Sequence, residues 1–181
     1  MRANGQTRPT RTYWWDRELP TDADVLRAVI FDADSALARV EHDGDEAART
    51  ELIDAVMSLF VAGVWVSVVS AGPRRQVETM VRQLLGDGLV ETIVTIDDLP
   101  DPAAELARGG ELYRLALWEM GITPRAALAV VGPEAGVAAS AAAAGLPAVV
   151  VDQPLSAPSC QQAHRRWWIR QPGDDAERAA R

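Results

Sequence analysis

The sequence predicts a three-layer α/β fold, a Rossmann-like, doubly wound parallel sheet of five strands covered by helices. Three observations predict it. Strand-like and helix-like segments alternate from about residue 25 to residue 151. The strand-like runs are almost continuously apolar, as strands buried on both faces of a parallel sheet must be. The connections are short, as successive strand–helix–strand units require.

The first strand reads Val25 to Phe31 and ends in acids. A helix follows over about Asp45–Ala62, with Leu52, Val56, Leu59 and Phe60 on one face and Gly63 at its end. The second strand is Val64–Ser70. Gly72-Pro73 then opens a helix striped by Val77, Met80, Val81, Leu84 and Leu85. Val90–Ile96 is the third strand. Tyr113, Ala116, Leu117 and Met120 line the next helix, which Gly121 closes. Ala127–Val131 is the fourth strand, an alanine-rich helix follows, and Pro147–Val151 is the fifth.

This core, residues 25–151, is flanked by an N-terminal extension (1–24) and a C-terminal tail (152–181) rich in Pro, Gln, Arg and Ser. Each flank carries a tryptophan pair, Trp14-Trp15 and Trp167-Trp168. Such pairs either fold back to finish the core or form a contact to a protein partner or a second copy, as in a homodimer. The 181 residues suffice to bury a core without staples. The single cysteine, Cys160, rules out an internal disulfide and suits a reducing, cytoplasmic setting.

A net charge of -8 argues against general nucleic-acid binding, which depends on neutralising phosphates. Mean hydropathy is -0.06. The most apolar stretch, Leu52–Val69, is interrupted by Asp54, Ser58, Gly63 and Ser67, so no membrane span is expected. His42, His164 and Cys160 lack zinc-ligand spacing. The chain contains no lysine, and all 18 of its basic residues are arginine.

Ligands of doubly wound sheets bind at the carboxyl ends of the strands. There the first strand runs into Phe31-Asp32-Ala33-Asp34-Ser35-Ala36-Leu37. Two carboxylates two residues apart in an extended segment point the same way and repel unless a cation or proton intervenes. Magnesium, which prefers oxygen ligands, is the natural partner. With a phosphate present, one carboxylate can attack phosphorus while the other handles the leaving-group proton. Asp-x-Asp alone is weak, because acids also cap helices and strand ends. Ser70, in Val66-Ser67-Val68-Val69-Ser70-Ala71-Gly72, likewise reads either as a helix cap or as a phosphate ligand.

Together with Ala127–Gly132 and Ala144-Gly145-Leu146-Pro147, these segments resemble motifs I, II and IV of the haloacid dehalogenase superfamily, nearest its β-phosphoglucomutase-like subgroup. The resemblance spans residues 25–151. It implies a magnesium-dependent phosphomonoester phosphatase working through an aspartyl-phosphate on Asp32, with Asp34 as general acid/base. Ser70, Ala71 and Arg108 would bind the phosphate of a phosphorylated substrate, and Asp32, Asp34 and Glu134 would hold the metal.

The pattern also departs from that family. Ser35-Ala36 replaces the usual Gly-Thr, the motif IV aspartate position falls on Pro133, and the motif III lysine position falls on Ala107. Glu134, and Arg108, Arg74 or Arg75, are the nearest substitutes. No cap is inserted after motif I or between motifs II and III, so nothing in the sequence provides a lid over the site. A weak or lost phosphatase is therefore one reading, and a degenerate member serving as a binding or assembly module is the other. A receiver-type phosphoacceptor domain is a third, but it also requires a lysine.

Overall fold

In the computed structural model the described residues are 25–169 apart from 44, 104, 106–108, 135 and 152–153. Alternation along β1 (Ala28–Asp32) sets the layering. Val29 and Phe31 enter one apolar cluster, with Leu52, Val56, Leu59, Val77 and Val81. Ala28 and Ile30 enter the other, with Leu112, Tyr113, Ala116 and Leu117. β4 (Ala127–Val131) repeats the division, Leu128 and Val130 to the first cluster and Ala127, Ala129 and Val131 to the second. Period-two alternation between two helix-covered faces explains the continuous apolar runs. Phe31, Ile30 and Leu128 are fully buried, and each such side chain contributes roughly 1.5–3 kcal/mol.

All strand pairs are parallel, and the order is β3-β2-β1-β4-β5, with β2 Trp65–Ser70, β3 Thr92–Thr95 and β5 Ala148–Val150. The chain steps outward from β1 to β3, then returns to lay β4 on the other side of β1. That reversal is the switch point of the sheet, and it opens a crevice beyond the ends of β1 and β4.

Several boundaries differ from expectation. The first strand begins at Ala28, because Val25 lies 48% exposed, outside the ladder. The segment after it is not extended. A π-helical turn, Ala33–Leu37, runs into α1 (Ala38–Asp43), and Ala33, Ala36 and Leu37 are fully buried beneath it. α2 (Glu46–Val61) follows, capped by the Asp45 carboxylate on Ala47 N at 2.9 Å. α3 (Arg74–Leu85), α4 (Glu111–Met120) and α5 (Val137–Ala143) lie where the periodicity placed them.

Residues 157–169, counted with the tail from sequence, form a further helix, α6 (Ala157–Ile169). Its Ala157 and Cys160 join the first cluster, and Ala157 N donates to Ser58 Oγ at 2.7 Å. No helix among the described residues is long and apolar enough to cross a membrane.

Candidate functional site

Asp32 is the last residue of β1 and the N-cap of the π-helical turn. Its Oδ1 accepts from Ser35 N and Ser35 Oγ, each at 2.9 Å, and Tyr113 OH donates to Oδ2 at 3.3 Å. Burial pushes the Asp32 carboxyl above the usual aspartate value. The Ser35 hydrogen bonds oppose this shift, while the Asp34 charge adds to it. Tyr113 is 1% exposed, and burial beside Asp32 pushes its phenol far up, so it remains a neutral donor.

Asp34 reaches the same crevice by a route the sequence did not suggest. The strand ends at Asp32, so Asp34 stands in the helical turn rather than in an extended segment. From there its carboxylate crosses to the end of β2. Ser70 Oγ donates to Oδ1 at 2.6 Å, and Ala71 N donates to Oδ2 at 2.7 Å. Ser70 Oγ in turn accepts from Gly72 N at 2.9 Å. The structure thus brings together Asp32, Asp34, Ser70 and Ala71.

Close contact with β4 comes through Gly132. Its N–H donates to Ser35 Oγ at 2.9 Å, which links the end of β4 to Asp32 through one hydroxyl. A Cβ at Gly132 would fall 2.6 Å from Ser35 O and 2.2 Å from Glu134 Oε2, so only glycine permits this approach. Pro133 is exposed. Glu134 is exposed as well, and its Oε1 lies 4.0 Å from Arg39 Nη1. Arg74 is engaged at the end of β3, where Nη2 meets Asp98 Oδ2 at 2.5 Å and Ile93 O at 2.8 Å. Ala107 and Arg108 lie outside the described residues, as do Trp14 and Trp15.

Three participants escaped the sequence reading in their present roles. Ser35 looked only like a departure from the motif, Tyr113 like core, and Glu105 like no part of the site. The Glu105 carboxylate accepts from Glu111 N at 2.6 Å and from Gly110 N and Leu112 N at 3.3 Å. It therefore holds the N-terminus of α4, the end of the helix that also carries Tyr113. A helix N-terminus holding an acid is a familiar local signal, but the five-residue offset hides it from a capping-box search.

Magnesium keeps several of its waters and is held by one or two carboxylates together with substrate phosphate; the motifs imply three acids around it. Among the described residues no three His, Cys, Asp or Glu side chains converge in that way. The third acid is absent at Pro133, Glu134 stands beside Arg39, and each carboxylate oxygen of Asp32 and Asp34 accepts a hydrogen bond from the protein. The three-acid ligand set that the motifs imply is not assembled among the described residues.

No family model matches the chain, and no curated protein matches it in sequence. Solved structures do match it. β-Phosphoglucomutase from Clostridium difficile aligns with TM-score 0.59 at 10% identity, over 81% of this chain and 100% of that one. CbbY from Rhodobacter sphaeroides, in complex with phosphate, aligns with TM-score 0.52 at 17% identity, over 70% of this chain and 86% of that one. The chain has the haloacid dehalogenase fold that its motifs implied.

Proposed function

We propose that this chain is a catalytically degenerate protein of the haloacid dehalogenase fold, a binding or assembly module rather than a working phosphatase. The observation that carries the reading is the two-acid crevice. Asp32 and Asp34 face it, the position that should complete a metal site is Pro133, and no third ligand converges there among the described residues.

The physical consequence is large. A phosphomonoester brings its own negative charge to two carboxylates. At 4 Å each like-charge pair costs about 4 kcal/mol in an effective dielectric of 20, roughly three orders of magnitude in binding. Active phosphatases of this type offset that cost with a divalent ion and a lysine. Here the chain has no lysine, and Arg74 is tied to Asp98 and Glu78. The oxygens of the Asp32 carboxylate are already engaged by Ser35 and Tyr113.

The test is hydrolysis of a generic aryl phosphate with and without magnesium, comparing the wild type with Asp32→Asn. The expected result is one rate for both proteins and no magnesium-dependent rise in melting temperature. Turnover that requires magnesium and vanishes in Asp32→Asn would restore the phosphatase reading.

A further inference from the structure

Ser70 and Ala71 offer two convergent donors at the end of β2, and both are already in use. The Ser70 hydroxyl has one proton, which it gives to Asp34 Oδ1 at 2.6 Å. Its oxygen accepts from Gly72 N at 2.9 Å, which fixes the rotor in that direction. Ala71 N–H meets the other oxygen of the same carboxylate at 2.7 Å. To two such donors a carboxylate and a phosphoryl group look alike, since each offers two negatively charged oxygens on one atom. Bonds of this length to an ionised acceptor belong to the strong class.

Asp34 is also held in place by more than these bonds. It sits in the turn Ala33–Leu37, anchored by the fully buried Ala33, Ala36 and Leu37. A tethered and oriented acceptor competes at an effective concentration far above that of any free anion. The floor of the crevice is tight as well. A Cβ on Gly72 would stand 3.2 Å from Ser70 Oγ and 3.8 Å from Asp34 Oδ1.

We propose that the Asp34 carboxylate is a built-in occupant of the Ser70–Ala71 cradle, closing it to external oxyanions until Asp34 is displaced. This rests on the reading of the crevice as degenerate and extends it. The fold's anion subsite persists, filled by the chain's own side chain, and the ligand class it would take once vacated is a small tetrahedral oxyanion.

The probe is inorganic phosphate without magnesium, followed at the Ala71 amide by ¹⁵N NMR on the full chain. In the wild type, millimolar phosphate should leave that resonance unmoved. In Asp34→Ala it should move saturably, at a concentration at least tenfold below any response of the wild type. Adding Ser70→Ala should abolish the response. Asp34→Ser provides a second variant if alanine disorders the turn, because its short hydroxyl cannot replace both carboxylate oxygens on Ser70 Oγ and Ala71 N–H. An equal response in wild type and Asp34→Ala overturns the proposal, and so does a silent Ala71 in both variants. Magnesium-dependent turnover by the wild type would overturn both readings, whereas a silent amide in both variants overturns only this one.

Discussion

Asp32 shows what a single residue contributes to such a crevice. Burial is the largest influence on its carboxyl and raises its pKa above the ordinary value of 3.8. A carboxyl whose folded pKa is raised binds its proton more tightly in the fold than in the unfolded chain. Its stabilising contribution is complete below the ordinary aspartate value and is lost as pH rises through the folded value. Once ionised, Asp32 therefore burdens the fold. Asp32→Asn keeps the acceptor for Ser35 and removes the charge, so it should melt a few degrees above the wild type at neutral pH. The gap should close below about pH 4. Melting curves across that range check it, and a lower melting temperature for Asp32→Asn at neutral pH contradicts it. Asp32, Ser70 and Ala71 were legible in the sequence because they stand at or just past strand ends, where a parallel sheet places ligands, and Asp34 because it follows Asp32 by two residues. Ser35 and Gly132 were not, because their contact exists only once β4 lies beside β1.

Among the elements, legibility followed aliphatic side chains. α3 announced itself by Val77, Val81, Leu84 and Leu85, all buried as the stripe requires. α6 did not, because its buried residues are Ala157, Cys160 and His164 rather than long aliphatics. Its entry is held by Ser156 and Ser159, each backbone N–H meeting the other's hydroxyl at 2.8 and 3.2 Å. The pattern lacks the acidic partner that marks a capping box in sequence. The N-terminus of α4 carries a sharper expectation. Glu105 alone accepts from three successive backbone amides there. Glu105→Ala leaves those donors to water and removes a favourable charge from the positive end of the helix. It should cost about 1 kcal/mol. Urea denaturation measures it, and an unchanged midpoint would show that the cap contributes nothing.

At the scale of the whole molecule, the strands were foreseeable but their order was not. Local pattern does not tell that β4 returns to the far side of β1, and that return is what makes a crevice at Asp32. The same scale shows where the C-terminal tryptophans sit. Trp167 and Trp168 meet edge to face with centroids 4.5 Å apart, and Arg125 stacks 5.0 Å above the Trp168 ring. Beside them the fully buried His164 lies with Nε2 2.7 Å from the Arg125 carbonyl, a distance that requires a proton on that nitrogen. Trp168 Nε1, 3.1 Å from the same atom, then makes contact without a hydrogen bond. The arrangement fastens α6 to the turn that feeds β4. Trp168→Ala removes the cation–π contact and uncovers His164, at a cost of about 1–2 kcal/mol, or roughly 4 °C in a chain of this size. Size-exclusion elution should stay where it is. A lost dimer or complex at unchanged melting temperature would instead make the pair an interface.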